Sequence, residues 1–287
     1  MTVDPHALLA RSFAPVTHAY AARDTILYAL GVGLGADPVD PGQLPYVYEE
    51  GLTALPSLVN VLGYPGFWAK EPDTGIDWPR VVHAEQWFTL NGRLRPVGNV
   101  IGHTRVTAFH DKGAAKGALM GSERTVVDAA SGAVLATVGG LSMLRGDGGS
   151  GVVEGVLPPP HLLPDRAVDA VCDLETLPQA ALIYRLSGDL NPLHADPAVA
   201  RGAGFDRPIL HGMATMGVAC HAVLRTVLGY DSARVRGMRV RFTAPVFPGE
   251  TVRTEIWVDG GVVSFRSSVP GRSIVVLDRG RVDLAPE

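Results

Sequence analysis

Two cysteines among 287 residues is very few, and each, Cys172 and Cys220, stands alone among apolar neighbours. Thiols so placed act as small buried apolar groups, so neither a disulfide framework nor a cysteine-ligated metal is expected to organise the chain. Excess basic charge is also missing. The net charge is -4 and no Lys/Arg cluster stands out, which sets nucleic acid aside as a partner. No run of about 18 apolar residues occurs, so no membrane span is expected. The start, M-T-V-D-P-H-A-L-L-A, lacks a basic region ahead of a long apolar core, so no signal peptide is expected. A soluble cytoplasmic protein is the reading. His194, His211 and His221 lack tight metal-ligand spacing and no Cys joins them, so no metal is expected. The run G-V-G-L-G at 31–35 follows a helical pattern and lacks the full G-x-G-x-x-G of a dinucleotide loop. Ser187, in L-S-G-D, lacks the G-x-S-x-G elbow of a serine hydrolase.

What is present suits a globular enzyme: 46% apolar and 19% charged residues, enough for one large domain or two of ordinary size. Residues 1–23 read as a lead-in. A short helix starts at Asp24 as its cap and stops at Gly31 and Gly33. A Pro- and Asp-rich loop leads to residues 52–62, read as a buried helix with Pro56 in its first turn; 64–80 is loop. Four β-rich runs follow at 81–90, 99–111, 119–128 and 134–144, with a hairpin connection at 128–132. Strands gathered behind a buried helix indicate an α+β fold, not a wound parallel sheet. Residues 146–164, with Gly146, Gly148, Gly149, Gly151 and three consecutive prolines, have linker composition. The second half then offers a strand at 167–174, short helices at 177–186 and 196–202, and a long apolar helix at 209–228. Four more strands follow at 235–245, 251–259, 262–269 and 273–284.

The order of elements repeats. I-L-Y-A-L-G-V-G at 26–33 aligns with L-I-Y-R-L-S-G-D at 182–189, which matches Tyr28 with Tyr184. At nearly equal separations come Phe88-Thr89 and Phe242-Thr243, each followed by a Pro and a Gly. We read a duplication, with boundaries at 1–150, a linker at 151–165, and 166–287. Gly33 then occupies the place of Asp189, so one active site per chain is expected, in the second half.

The chemistry concentrates between Tyr184 and His211. Asp189 and His194 lie five residues apart, with Pro192 between them forbidding a regular helix. Two proton-transfer groups are thereby mounted on a rigid loop, where catalytic residues commonly sit. Tyr184-Arg-Leu-Ser-Gly-Asp-Leu-Asn-Pro-Leu-His194, with Ala200 six positions on, resembles the hydratase 2 motif of MaoC-like enoyl-CoA hydratases. The segments at Asp24, His83 (H-A-E-Q), Asp111 (D-K-G), Pro208 (P-I-L-H-G) and Phe242 (F-T-A-P-V-F-P-G) are similar to the hydratase 2 unit of peroxisomal multifunctional enzyme type 2 and its actinobacterial relatives.

The resemblance implies a double hotdog fold, in which an antiparallel sheet wraps one long helix in each half. It implies reversible hydration of a trans-2-enoyl-CoA to a (3R)-3-hydroxyacyl-CoA in a homodimer. No separate cofactor is implied, since CoA is part of the substrate. Asp189 and His194 become the catalytic dyad and the Gly212 N–H the oxyanion donor. His83, Ala84, Lys112, the loop 189–194 with Asn191, and Phe242 become acyl-CoA contacts. Tyr28 and Glu49 match positions tied to activity; Tyr184 and Arg185 flank the dyad. Ala84 stands where the peroxisomal enzymes have Gly. We expect His194 as base and Asp189 as acid, the roles being exchangeable on sequence alone. Leu190 and Leu193 are expected to supply apolar surroundings that raise the Asp189 pKa. Arg185 is expected to serve the CoA phosphates or to brace Glu49. Without the family, Lys112 reads as a solvated turn lysine, Glu49 as surface charge, and His83, Tyr28 and Phe242 as core or rim residues. The alternatives to a hydratase are a hotdog acyl-CoA thioesterase and a non-catalytic acyl-CoA-binding subunit.

Overall fold

The computed structural model describes residues 3–286. In chain order the first half contains α1 (Pro5–Leu9), β1 (Val16–Tyr20), α2 (Ala22–Gly31), α3 (Leu44–Val47), a 3₁₀ turn at Pro56–Asn60, β2 (Val81–Leu90), β3 (Gly98–Asp111), β4 (Ala118–Asp128) and β5 (Val134–Leu144). The second half follows with β6 (Val153–Gly155), β7 (Ala170–Glu175), α4 (Ala180–Tyr184), α5 (Pro197–Gly202), α6 (Gly212–Val227), β8 (Val235–Phe242), β9 (Thr251–Asp259), β10 (Val262–Val269) and β11 (Ile274–Leu284). All strands pair antiparallel, in the order β1-β3-β4-β5-β2-β8-β11-β10-β9-β7, with β6 added to β3.

The α+β reading and the double hotdog hold, with three corrections. First, the two sheets are one: β2 pairs with β8 across the middle. There Gln86 stands opposite Val240, at the same offset along the chain as Phe88 and Phe242, and Glu85↔Arg241 and Trp87↔Arg239 flank that pair. This register is the one that two related halves would give. Second, among the described residues the first half has no long helix. Pro56 keeps Leu55 extended and starts only a five-residue 3₁₀ turn. Beyond it, glycines and prolines leave no ten-residue stretch free of breakers before residue 80. Third, the lead-in contributes α1 and β1, and the linker stretch contributes β6, so both are pinned to β3.

Asp24 is not the residue that precedes α2. It sits inside the first turn, and its carboxylate reaches back to accept the Ala21 N–H at 2.9 Å. By contrast α6 runs 16 residues, and every residue from Ala214 to Leu224 is buried. A helix apolar on all sides must lie inside, and the sheet of the second half packs around it. A smaller cluster of Leu8, Ala69, Ile76, Phe109 and Met120 seals α1 and the 3₁₀ turns onto β3 and β4.

Candidate active site

The dyad loop is built from short, self-capped turns. After α4, Gly188 takes φ 118°, a left-handed conformation that glycine adopts without strain, and turns the chain out of the helix. Asp189 Oδ1 then accepts the Asn191 N–H at 3.2 Å, and Asn191 Oδ1 accepts the Leu193 N–H at 3.1 Å. Pro192 opens the 3₁₀ turn that carries His194 inward until it is buried. His194 Nδ1 lies 2.8 Å from the Ile209 carbonyl. A carbonyl only accepts, so Nδ1 carries the hydrogen and the Nε2 lone pair is left free. Burial holds the His194 pKa below the ordinary imidazole value, so this ring is neutral at pH 7.

His211, immediately before α6, completes the cluster. Its Nε2 lies 3.1 Å from the Asp189 carbonyl, and its ring stacks on His194 with centroids 3.7 Å apart and planes 28° apart. Burial, and then the proximity of His194, push its pKa down to about 4. Asp189, His194 and His211 bring ligand-capable atoms within 4.8 Å of one another. Linear spacing separates these histidines; the fold brings them together.

The opposite wall forms where three elements meet. Gly212 is the first residue of α6, so its N–H has no intrahelical acceptor and carries the positive end of the helix dipole. A Cβ there would lie 3.2 Å from Phe242 Cε1, and the Phe242 ring lies 4.8 Å from that of His83. β2 slips register between His83 and Glu85, which makes Ala84 a bulge that re-aims His83. His83 Nε2 bonds Gln86 Oε1 at 3.0 Å, and Gln86 Nε2 donates to Asn60 Oδ1 at 3.0 Å. His83 keeps solvent-exposed surface, yet burial lowers its pKa. Tyr64 likewise is exposed while burial pushes its pKa up to about 12. Exposed side chains that are also surrounded by protein line a crevice. The charge of Asp189 acts on both, as it does on His194 and His211. Behind Tyr64 lies Arg124, buried, its guanidinium 5.5 Å from the ring and its Nη2 donating to the Asn60 carbonyl at 2.7 Å.

Other expected site residues fall elsewhere. Tyr28 and Tyr184 are wholly buried, their rings 5.6 Å apart, so neither offers a surface to a ligand. Glu49 is exposed in a separate depression of about 520 Å³ shared with Arg93 and Arg95. Arg185 makes no ion pair with Glu49 among the described residues; its Nε is buried without a partner. Lys112 is exposed on the β3–β4 turn, its N–H bonded to Gly117 O at 2.9 Å. Strand register places that turn toward the His83 end of β2, since Leu144 pairs with both Ala118 and Val81. Leu190 is 60% exposed and faces away, so it does not supply the apolar environment expected around Asp189.

Residues 18–146 match the MFE-2 hydratase 2 N-terminal domain, and residues 161–276 match the MaoC like domain. The enoyl-CoA hydratase ChsH3 of Mycobacterium tuberculosis is 37% identical over 292 residues, covering 100% of both chains. This chain belongs to the MaoC-like hydratase 2 family. Another relative in that family, the peroxisomal enoyl-CoA hydratase 2 of Arabidopsis thaliana, is 34% identical over 96% of this chain and 94% of its own. The crystal structure of a MaoC-like dehydratase from Phytophthora capsici superposes with a TM-score of 0.86 at 35% identity, over 98% of this chain and 99% of that one. Against this family background, His211, Asn60, Gln86, Tyr64 and Arg124 are the site-lining residues that sequence reasoning did not find. The P-I-L-H-G string, with its His ahead of a helix start, offered a signal for the first of them, and the H-A-E-Q string at His83 contains Gln86.

Proposed function

We propose that this family member is an (R)-specific 2-enoyl-CoA hydratase, adding water to trans-2-enoyl-CoA to give (3R)-3-hydroxyacyl-CoA. One observation carries the reading: a side-chain oxygen of Asp189, a ring nitrogen of His194 and a ring nitrogen of His211 lie within 4.8 Å of one another, and His211 immediately precedes Gly212, the opening residue of α6. Addition needs a base for water, an acid for C2, and a donor for the charge that develops on the thioester oxygen. His194 Nε2 takes one proton from water as the oxygen bonds to C3. The C2–C3 π pair moves onto the thioester oxygen, which the Gly212 N–H receives, and Asp189, in the carboxylic-acid form that this step requires, delivers its proton to C2. The proton now on His194 then restores the Asp189 acid. What supports His194 as base is its tautomer, fixed by the Ile209 carbonyl. Each positioned proton transfer is worth roughly 10²–10⁴-fold, and an oxyanion donor about 10²–10³-fold.

The test is incubation with a panel of trans-2-enoyl-CoA thioesters, followed by chiral analysis. Loss of enone absorbance without free thiol, with an R product, is expected. Release of CoA thiol would instead identify a thioesterase, and unaltered substrate an acyl-CoA-binding subunit. The reading includes no cofactor beyond the CoA of the substrate, a cytoplasmic location and a homodimer. Light scattering on the purified chain tests the last of these. No described helix is long and apolar enough to cross a membrane.

A further inference from the structure

The geometry points to His211 as a positioning residue of this site: one ring N–H holds the Asp189 carbonyl, and one ring face holds the imidazole of His194. The inference rests on the hydratase reading above and adds a part to it. Three observations converge. The ring does not serve its own helix: it makes no capping hydrogen bond to α6, and only the His211 backbone carbonyl joins the helix, accepting the Thr215 N–H at 3.0 Å and the Thr215 hydroxyl at 3.2 Å. The Asp189 carbonyl is an acceptor 3.1 Å from Nε2, so Nε2 must be protonated and the ring is the Nε2–H tautomer. Finally, the Nδ1 atom is buried without a partner. A buried polar atom left unpaired is destabilising, so an apolar ring would be favoured here if packing were the only task.

The consequence is mechanical. Asp189 follows a left-handed glycine and opens a loop whose far end is tied through His194 Nδ1 to the Ile209 carbonyl, while near Asp189 the other hydrogen bonds are local, to Asn191 and Leu193. The bond to His211 is the long-range tie that fixes this backbone against α6. Stacking fixes the second catalytic group against the same ring. His211 thereby sets the distance between the acid and the base, and ties both to the helix turn that bears Gly212. The groups that act on its ring are His194 stacked on it, Asp189 from the loop, Arg185 from the turn after α4, and Tyr184 of α4, whose ring lies 5.0 Å away. A second positive charge beside His194 would oppose its role as base. The neutral state of His211, which burial enforces, keeps that role available through the working pH range.

The experiment compares wild type, H211A and H211Q in the enoyl-CoA hydration assay across pH, with thermal unfolding as the control for folding. H211A is expected to lose roughly 10²-fold in kcat, the scale on which misplaced reacting groups are felt, with KM within about threefold. H211Q carries an amide N–H toward the same carbonyl and is expected to recover at least about a tenth of wild-type kcat. Water entering beside His194 in H211A raises the pKa of that ring, so the acid limb of kcat/KM moves to higher pH. A purely structural residue would not shift the limb. In parallel, imidazole nitrogen NMR of the wild-type protein should show His211 neutral with hydrogen on Nε2, and His194 with hydrogen on Nδ1. The proposal is overturned by an H211A kcat within about twofold of wild type, by H211Q no better than H211A, or by an Nδ1–H tautomer at His211. If wild type itself hydrates no enoyl-CoA, the proposed function fails instead, and the NMR result still decides the tie.

Discussion

The two halves share a sheet and differ in what the sheet encloses. Each has a short helix followed within a few residues by a left-handed glycine, Gly33 in the first and Gly188 in the second. After Gly188 comes Asp189; after Gly33 comes Leu34, 2% exposed. Matched by backbone conformation instead of by letters, the correspondence shifts by one residue, and the acid's counterpart is a buried leucine. The larger difference is the helix. The second half presents the N-terminus of a 16-residue helix to the dyad, whereas the first half has a five-residue 3₁₀ turn at Pro56–Asn60. A carboxylate is the part of such a site that one substitution can supply. The helix end, with its aligned N–H groups, is the part that one substitution cannot supply.

That contrast can be broken directly. D189N is expected to lower hydration by roughly 10²–10⁴-fold, while the double variant D189N/L34D should recover none of it and should be less stable, because the new carboxylate is buried unpaired. Any recovered turnover would show that the first half can host the chemistry. Next in size is G212V. The added side chain collides with Phe242, and roughly 10²-fold loss is expected as the thioester oxygen is held off the N–H. G212A/F242A, with space restored, should regain part of the loss relative to G212A, separating steric exclusion from loss of the donor.

The seam between the halves gives a stability test. Glu85 is buried and paired with Arg239 and with Arg241, the latter at 2.6 Å. E85Q leaves two arginines without their carboxylate. Breaking a buried pair costs 3–5 kcal/mol; with Arg241 39% exposed, a loss of about 2–3 kcal/mol by urea unfolding is expected. The pH response follows from His194, His211 and His221, all neutral in the folded chain because burial lowers their pKa, the latter two to about 4. The unfolded chain takes up these protons at about pH 6.5, so it binds more protons than the folded one, and stability falls as pH drops from about 6.5 toward 4. The acid limb of activity should also lie below pH about 6.5, since the base is the neutral form of His194. The smallest effect is at Tyr28, whose buried hydroxyl has the hydroxyls of Ser57 and Tyr184 as neighbouring polar groups: Y28F should change stability by under about 1 kcal/mol.

The sheet strands were legible because alternation of apolar residues is a local property. Val81–Leu90, Val134–Leu144, Thr251–Asp259 and Val262–Val269 occur with the ends that periodicity assigns. Edge strands β1 and β6 were not, because Val16–Tyr20 and Val153–Gly155 are short and gain their order from pairing with β3. The long helix expected in the first half failed where apolar content was weighed above Pro56. At the site, the string from Tyr184 to His194 marked the dyad, yet placed Tyr184 at the substrate when it lies behind His211.

By itself the chain determined which segments extend, where proline and glycine interrupt them, and that one acid–imidazole loop precedes one long apolar helix. These follow from bond rotations and side-chain periodicity within a few residues. Only the folded chain decided that the ring of His211 reaches the Asp189 carbonyl, that Phe242 stands between Gly212 and His83, and that Glu85 anchors Arg239 and Arg241. Those contacts join residues far apart in sequence, and they exist because burying α6 under the sheet fixes where each element must lie.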